Sequence, residues 1–288
     1  MVSIAMATYN GDKYIAEQIE SILNQTVSDI ELVIVDDCSK DNTYEICRQY
    51  AQKDKRIRIY RNERNLGYLK NFEKAITLTK GDYIAMSDQD DVWTKDHIEV
   101  LLKNLQGKIL SCGNVSIVNA DLVPTGRTWG EMCMTGGLPD NDADKLMSLI
   151  FFCGRYQGAS MLFRKELKAS LLPFPDGITY HDVWISCLAC ICGGINYTEQ
   201  IIASYRIHGN NVSGDHTYRP CKIRSFGRLC LRGMAKDRIY YIRGLRRVGG
   251  GSPVLIEMEK FFYRQGKHLY FLHNIYYVLN HLKAIFCL

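Results

Sequence analysis

Residues 83–93 read YIAMSDQDDVW, and this stretch decides the fold. Its first residues have the pattern of a buried β-strand, and three carboxylates follow at the strand end: Asp88, Asp90 and Asp91. Carboxylates this close together repel one another unless a cation lies among them, and hard divalent ions such as Mg²⁺ and Mn²⁺ prefer oxygen ligands. The stretch therefore predicts a metal site with a phosphate-bearing ligand beside it. The alternative is a solvated acidic turn that only caps the helix after Trp93.

Three similar apolar runs precede this stretch, at residues 2–7, 31–35 and 57–60. Each is followed by a polar turn and then by apolar residues at helical spacing, an alternation that is typical of a parallel sheet. Open α/β sheets bind ligands beyond the carboxyl ends of their strands. We therefore expect four polar clusters to converge on one ligand: Thr8 to Asn10, Asp36 with Asp37, Arg61 to Gly67, and Asp88 to Asp91.

Two local patterns predict how the segments between the strands are built. Asn42 and Glu45 have capping-box spacing, which predicts a helix that begins after Asn42 and is capped by these two side chains. The Gly-rich, polar stretch 124–144 lies between strand-like runs at 109–119 and 159–163. It predicts a loop, which either covers the substrate or is inert at the surface.

The composition of the chain excludes several classes of protein. With 288 residues, 47% of them hydrophobic, the chain can bury one large core. A net charge of +5 is modest and does not by itself call for nucleic acid. Of the eleven cysteines, Cys187, Cys190 and Cys192 lie in one apolar run, which favours buried hydrophobic residues over a zinc site. The chain opens on a strand-like segment without a signal peptide, so we expect reduced thiols and a cytoplasmic protein.

The character of the chain changes beyond residue 214. Basic residues accumulate over 222–247 with almost no acidic partners, and an apolar, aromatic segment follows at 269–288. The His, Asn and Lys residues of that segment would be costly in hydrocarbon. We therefore expect residues 215–288 to form a basic, aromatic helical region that lies on an anionic membrane surface, or packs on the protein or in a homo-oligomer. The basic run lacks interleaved base-stacking groups, which argues against a nucleic-acid partner.

A series of motifs runs through the first 213 residues. In chain order they are ATYN at 7–10, VDDCSKDNT at 35–43, NLG at 65–67, SDQDDVW at 87–93, QGAS at 157–160, HDVW at 181–184 and YRIHGNNVS at 205–213. Their order and spacing resemble the family 2 glycosyltransferases of the GT-A fold, and the SDQDDVW form with the last two motifs is most similar to the rhamnosyltransferase-like branch. The resemblance implies an α/β, Rossmann-like, mostly parallel sheet flanked by helices over residues 1–214, with a helical C-terminal appendage.

The resemblance also implies a nucleotide and metal site. Similar enzymes hold the base and ribose with residues at the positions of Thr8, Tyr9, Asn10, Asp37, Asn65 and Asp88. Asp37 is preferred to Asp36 for the base, and the alternative is that one of the two only organises the turn. Asp90 and His208 would bind the ion, Mn²⁺ or Mg²⁺, which bridges the two phosphates and neutralises charge on the departing diphosphate.

Asp182 matches the position of the family's general base in the inverting mechanism. Such a base must lie within about 3 Å of the acceptor hydroxyl to take its proton. The alternative role is a helix cap, because an Asp before an apolar run often caps a helix. Four further residues are weaker candidates for substrate binding: Gln157, His181, Trp184 and Arg206.

The expected function is transfer of a sugar, rhamnose or a hexose, from a dTDP or UDP donor to a hydroxyl of a growing, lipid-linked polysaccharide. The expected partners are the nucleotide sugar, a glycan or glycolipid acceptor and the inner face of a bacterial membrane, where the protein would be peripheral. A nucleotidyltransferase would need a basic, Gly-rich phosphate loop near the first strand, which residues 8–12 do not supply. A nucleotide-sugar-binding relative without catalysis is the other alternative, and the intact acidic, Asp182 and His208 positions argue against it.

Overall fold

The computed structural model describes residues 1–134, 139–152, 155–209, 211, 235–250 and 255–260. In chain order the elements are β1 (Val2–Thr8), α1 (Ile15–Leu23), β2 (Ile30–Asp36), α2 (Thr43–Lys53), β3 (Ile57–Arg61), α3 (Tyr68–Leu78), β4 (Tyr83–Ser87), β5 (Val92–Trp93), α4 (His97–Asn104), β6 (Leu110–Val118), β7 (Pro124–Thr128), α5 (Trp129–Cys133), α6 (Asp142–Phe152), a 3₁₀ turn (Gly158–Ser160), β8 (Met161–Arg164), α7 (Glu166–Leu171), α8 (His181–Cys192), β9 (Ile195–Arg206) and α9 (Ala235–Gly249). A further helical stretch covers residues 255–260.

Within the described residues, nine strands form one sheet in the order β3-β2-β1-β4-β8-β6-β9-β5, with β7 paired to β6. The strands β1 to β4 are parallel to one another. β8 is antiparallel to both β4 and β6, so β6 runs in the direction of the first four strands, and β9 is parallel to β6. The sheet is therefore mostly parallel and is flanked by helices, as the sequence predicts.

The side chains of β1 alternate between two hydrophobic layers, because successive residues of a strand point to opposite faces. Ile4 and Met6 pack in the layer that contains Ile15 of α1. Ala5 packs in the opposite layer, which contains Ile76 of α3. With both faces covered, the inner strands are nearly continuous apolar runs, and the polar residues that follow them collect at the strand ends.

The four strand-like runs at 2–7, 31–35, 57–60 and 83–86 correspond to β1, β2, β3 and β4. α2 begins where the sequence predicts, but the predicted capping box is wrong. Asp41 Oδ1 accepts the N–H of Thr43 at 3.0 Å, and the Glu45 carboxylate instead pairs with Arg48 at 2.8 Å. A short Asp side chain reaches the N–H two residues ahead, which is the local bond that competes with a capping box.

The stretch 124–144 is not one loop, so that prediction is wrong for its described part. β7 pairs with β6, with Thr128 opposite Ser116. Thr128 and Glu131 then form a capping box, in which each side chain accepts the backbone N–H of the other residue. The T-x-x-E pattern that starts α5 was available in the sequence and was overlooked.

Helix α9 packs against α8. Tyr241, Ile242 and Leu245 are fully buried in the same hydrophobic cluster as Trp184 of α8, and Leu255 joins that cluster. The described part of the C-terminal region therefore contributes to the core of the α/β domain. The segment 269–288 and the basic residues before 235 lie outside the described residues. None of the helices in the described ranges is long and apolar enough to cross a membrane.

Candidate active site

A cavity of about 340 Å³ opens at the carboxyl ends of β1, β2 and β4. Six of the residues predicted to hold a nucleotide or a metal line it: Thr8, Tyr9, Asp37, Asn65, Asp88 and Asp90. The convergence follows from the parallel register, since β1 pairs with both β2 and β4 and all three strands end at one edge of the sheet. The structure therefore brings together part of each of the four polar clusters.

Asp37 shapes the turn that forms one wall of this cavity. Its Oδ1 accepts the N–H of Leu66 at 2.8 Å and the amide of Asn62 at 2.7 Å, and its Oδ2 accepts the N–H of Gly67 at 2.9 Å. A carboxylate has about four acceptor positions, so one remains for a ligand. Asp36 has a different task, because it is fully buried and forms an ion pair with Arg61 at 3.3 Å.

Gln89 joins the acidic turn to the turn after β1. Its Oε1 accepts the N–H of Tyr9 at 2.8 Å, and its Nε2 donates to the carbonyl of Tyr9 at 3.0 Å. This pair of bonds fixes the spacing between two walls of the cavity. Sequence reasoning missed Gln89, since its position inside the acidic motif gives no signal of a backbone partner eighty residues earlier.

The carboxylates of the acidic turn differ in environment. Asp91 is buried and accepts the N–H of Arg206 at 3.1 Å, which ties the turn to the end of β9. Burial, followed by the charges of Asp90 and Asp88, holds the pKa of Asp91 well above its usual range. Burial and then the charges of Asp90 and Asp182 raise the pKa of Asp88 to about 7. When these carboxylates are ionised, the protein around the turn does not supply enough positive charge to balance them.

Asp90 and His208 form a pair at one side of the cavity. His208 Nε2 lies 2.8 Å from Asp90 Oδ2, and the imidazole packs on the ring of Tyr14 with centroids 4.8 Å apart. Across the described ranges, no group of three or more His, Cys, Asp and Glu side chains is arranged to hold a metal. Magnesium sites commonly use only one or two carboxylates together with substrate phosphates. The carboxylate of Asp90 and the imidazole of His208 therefore fit a divalent ion whose remaining ligands would come from a diphosphate.

Asp182 is the second residue of α8 and lies beside the QGAS segment. A Cβ on Gly158 would be 3.7 Å from Asp182 Cβ, an ordinary contact, and 3.0 Å from His181 Nε2, which is tight. The carboxylate accepts the N–H of Val183 at 2.7 Å. Burial raises the pKa of Asp182 to about 6, and the charge of Asp182 contributes to the raised pKa of Asp88. Asp182 is thus near enough to Asp88 for its charge to act on that carboxylate, although it is not among the residues that line the cavity. Asp182 lies inside the helix rather than at its cap position, Tyr180.

Comparison with known proteins identifies the family. Residues 3–167 match the model of the family described as Glycosyl transferase family 2. The chain belongs to this family. The family membership predicted from the motifs is thus confirmed.

Two relatives match this chain at different identities and over different shares of their length. The dTDP-rhamnosyl transferase RfbG of Shigella flexneri is 29% identical over 235 residues, which are 77% of this chain and 78% of that protein. An uncharacterized glycosyltransferase of Methanocaldococcus jannaschii is 44% identical over 108 residues, but the match spans only 37% of each protein. The chain therefore spans only about a third of the length of that relative.

Two solved structures share the fold of this chain. S. aureus TarS 1–349 in complex with UDP-GlcNAc gives a TM-score of 0.56 at 19% identity and covers 99% of this chain and 81% of its own. The mannosyltransferase PcManGT from Pyrobaculum calidifontis, in complex with GDP-Man and Mn²⁺, gives 0.55 at 17% identity and covers 98% and 73%. At these identities the likeness shows the GT-A fold alone.

Three residues predicted to contact ligands have other tasks in this chain. Trp184 is 1% exposed and donates from Nε1 to the carbonyl of Leu171, so it is a core residue and not the substrate contact that the sequence predicts. Arg206 is also buried, and its guanidinium donates to the carbonyls of Asp90 and Ala120 and to Glu17, so it supports the acidic turn. The third, Asn10, lies at the rim outside the cavity lining.

The polar groups of Asn10 are used between two loops of the protein. Its Oδ1 accepts the N–H of Lys40 at 2.8 Å, and its own N–H donates to Ser39 Oγ at 3.0 Å. The residue has a φ of 50°, a left-handed conformation in which Asn is favoured over most side chains. Asn10 therefore joins the turns after β1 and β2, and its contact with the nucleotide stays a prediction.

His181 and Gln157 remain candidates for substrate binding. Among the described residues, His181 Nε2 and Gln157 Oε1 are buried polar atoms without a hydrogen-bond partner. The His181 ring stacks on Phe72 of the cavity wall with centroids 4.2 Å apart, and burial lowers the pKa of His181 to about 4, so the ring is neutral. Buried polar atoms are normally satisfied, which makes a hydroxyl-bearing ligand a reasonable partner for both.

Proposed function

We propose that this protein transfers a sugar from a nucleoside diphosphate donor to a hydroxyl group of an acceptor glycan, with inversion at the anomeric carbon. The observation that carries the proposal is the position of Asp182, a buried carboxylate in the first turn of α8 whose charge acts on Asp88 of the acidic turn. Its pKa of about 6 suits a general base at neutral pH, since it is ionised and is a stronger base than an ordinary Asp.

The donor's nucleoside would lie between the turns after β1 and β2. Asp37, already held by the N–H groups of the Leu66–Gly67 turn, keeps an acceptor position for the imide N–H of a uracil or thymine base. The backbone of Thr8 and Tyr9, with Asn65, borders the same space, and Asp88, which also lines it, would accept from the ribose. A pyrimidine donor, dTDP or UDP, matches this set of groups.

The diphosphate would lie against the acidic turn. Asp90 and His208 would hold a divalent ion, Mn²⁺ or Mg²⁺, and the ion when bound neutralises the charge that develops on the leaving diphosphate. Arg206 supports this arrangement from behind, because its bond to the Asp90 carbonyl, 2.7 Å long, fixes the backbone of the turn. Tyr14 packs on the imidazole of His208 and restricts its orientation.

The transfer step is a single displacement. The acceptor oxygen forms a bond to the anomeric carbon while the bond from that carbon to the diphosphate oxygen breaks. The hydroxyl proton passes to the Asp182 carboxylate, and the nucleoside diphosphate leaves with the electron pair of the broken bond. Attack from the face opposite the leaving group inverts the anomeric centre, and no covalent enzyme intermediate is formed.

The donor is tested by thermal shift of the purified protein with Mn²⁺ and a panel of dTDP-rhamnose, UDP-hexoses and GDP-mannose. A donor at a hundred times its Kd stabilises the folded form by about 2.7 kcal/mol, which raises the melting temperature measurably. We expect dTDP-rhamnose or a UDP-hexose to give the largest shift, a choice that the Shigella relative supports. A shift with free nucleoside triphosphates and with none of the sugar donors would favour a nucleotidyltransferase instead.

We also propose a lipid-linked polysaccharide as the acceptor, with the protein peripheral to the inner face of a bacterial membrane. The basic composition of 222–247 and the apolar, aromatic composition of 269–288 support docking on anionic lipid. We expect the full chain to sediment with phosphatidylglycerol vesicles at low salt and a chain ending at residue 260 to sediment several-fold less. Equal sedimentation of the two chains would contradict lipid docking by the last segment and favour packing on protein or in a homo-oligomer.

A further inference from the structure

Asp182, the proposed general base, lies at the start of α8, and the N-cap residue of this helix makes no side-chain capping bond. Asp182 is the second residue of α8, and the N-cap residue is Tyr180. Within the described part of the chain, the Tyr180 side chain caps none of the helix N–H groups. Helix ends that lack a cap tend to fray, so a base in the first turn needs support from elsewhere.

That support comes from the phenol of Tyr241 on α9. Its oxygen accepts the N–H of Thr179 at 3.0 Å and the N–H of Tyr180 at 2.7 Å, and its hydroxyl donates to the carbonyl of Tyr180 at 3.2 Å. A phenol has one donor and limited acceptor capacity, so these bonds use it fully. The side chain is 0% exposed. One buried hydroxyl thus binds both residues that immediately precede α8.

The same turn is held from the cavity side by Tyr68. The Tyr68 hydroxyl donates to the carbonyl of Thr179, and Tyr68 itself lines the donor cavity. The backbone before Asp182 therefore lies between two phenols, one from the cavity wall and one from α9. This arrangement connects the position of α9 to the geometry of the site.

Helix α9 is seated closely enough to define that position. A Cβ on Gly244 would come within 2.7 Å of Pro175 Cγ and 3.0 Å of the Trp184 ring. Tyr241 and Leu245, four residues apart on one face, are both fully buried against α8. Because the contacts between α9 and α8 are this close, the packing holds the hydroxyl of Tyr241 in one position.

We infer that Tyr241 is a positioning residue, whose hydroxyl sets where Asp182 stands relative to the acceptor hydroxyl. The inference rests on the proposed function, because it assumes that Asp182 is the base. Tyr241 touches no reacting atom and acts only through the turn at Thr179 and Tyr180. It follows that a residue of the C-terminal region takes part in sugar transfer, whatever else that region binds.

Replacement of Tyr241 by Phe tests the inference, because it keeps the buried ring and removes only the hydroxyl. Misplacement of a reacting group by about 1 Å can lower a rate by about 100-fold, so we expect kcat to fall by about 10-fold to 100-fold. The KM for the donor and the Kd for its nucleoside diphosphate should stay within about twofold, since the proposed nucleotide contacts lie on β1, β2 and β4. The acidic limb of the pH profile should also shift, because the surroundings of Asp182 change.

Tyr240→Phe is the matched control, since Tyr240 is the neighbouring tyrosine and is 41% exposed. It should behave as wild type in every readout. Thermal melting of each variant verifies that it is folded at the assay temperature. If Tyr241→Phe does not fold, Gly244→Ala serves instead, because it displaces α9 while keeping the hydroxyl, and the same selective loss of kcat is expected.

Unchanged kcat in folded Tyr241→Phe, or in Gly244→Ala where that variant has to serve, would overturn the inference. An equal loss of nucleotide affinity would also overturn it, since the effect would then be general loosening of the fold. Asp182→Asn, assayed in parallel, separates this failure from failure of the proposed function. If Asp182→Asn is inactive and Tyr241→Phe is fully active, only the positioning role fails; if Asp182→Asn is active, the assignment of the base fails.

Discussion

Asp182→Asn should abolish sugar transfer while leaving the protein at least as stable as wild type. A positioned general base contributes about 100-fold to 10,000-fold, and Asn cannot accept a proton, so we expect kcat to fall by about that factor. Nucleotide binding should be retained, because the groups proposed for the base and ribose lie at or after the ends of β1 to β4, whereas residue 182 lies on α8. Radiolabelled or coupled transfer assays measure the rate, and calorimetric titration with the nucleoside diphosphate measures the binding.

The stability of this variant follows from the pKa of Asp182. Burial raises that pKa to about 6 in the folded protein, above the ordinary value of an unfolded Asp. A group of this kind contributes stability that is fully present below the unfolded pKa and is lost as the pH rises through about 6. At pH 8 the wild type therefore carries a buried charge that Asn lacks, and Asp182→Asn should be more stable by at most about 3 kcal/mol.

The pH dependence of the wild type follows from the same carboxylate. Since the base must be ionised, kcat/KM should fall with decreasing pH below about 6. Asp176→Asn is the control, because Asp176 is an exposed carboxylate on the segment that leads into α8. It should keep the activity and the pH profile of wild type. Turnover of Asp182→Asn at the wild-type rate would refute the assignment of the base.

The second large effect is expected at the proposed metal site. Chelation by EDTA should stop turnover, and Mn²⁺ or Mg²⁺ should restore it. Lewis-acid stabilisation of the leaving diphosphate is worth several kcal/mol, so Asp90→Asn should lower kcat by about 100-fold or more at saturating metal. His208→Gln should raise the metal concentration required for half-maximal rate. Asp121→Asn, an exposed carboxylate on the loop after β6, is the control.

A readout other than activity separates the metal role from a structural one. Titration of Mn²⁺, followed by electron paramagnetic resonance in the presence of the nucleoside diphosphate, measures the ion directly. We expect binding that weakens by at least about tenfold in Asp90→Asn and is unaffected in Asp121→Asn. Full turnover in EDTA, or Mn²⁺ binding that does not change in Asp90→Asn, would contradict the assignment of this site.

Much of the fold and the site could be predicted because the relevant signals are local. The strands β1 to β4 are short apolar runs, and the polar residues that end them follow directly in sequence. Parallel pairing then brings these ends to one edge of the sheet, where Thr8, Asp37 and Asp88 line one cavity. Their proximity can therefore be predicted from the strand pattern alone. The family motifs added Asp182, which local patterns alone leave as a helix cap.

The errors arose where tertiary contacts decide the role of a residue. Trp184 and Arg206 have residue types that suit sugar and phosphate. However, α9 packs over Trp184, and the guanidinium of Arg206 donates to the carbonyls of Ala120 and Asp90. Residue type cannot distinguish a buried guanidinium from an exposed one. The bonds of Gln89 and Tyr241 were missed for a related reason, since both reach backbone groups more than sixty residues away.

A crystal structure of Asp182→Asn with Mn²⁺ and an intact nucleotide-sugar donor tests the central claim most directly. We expect Mn²⁺ to be bound at Asp90 and His208 beside the diphosphate of the donor, with residue 182 facing the anomeric carbon on the side opposite that diphosphate. A donor bound outside this cavity, or residue 182 on the same side as the leaving group, would contradict it.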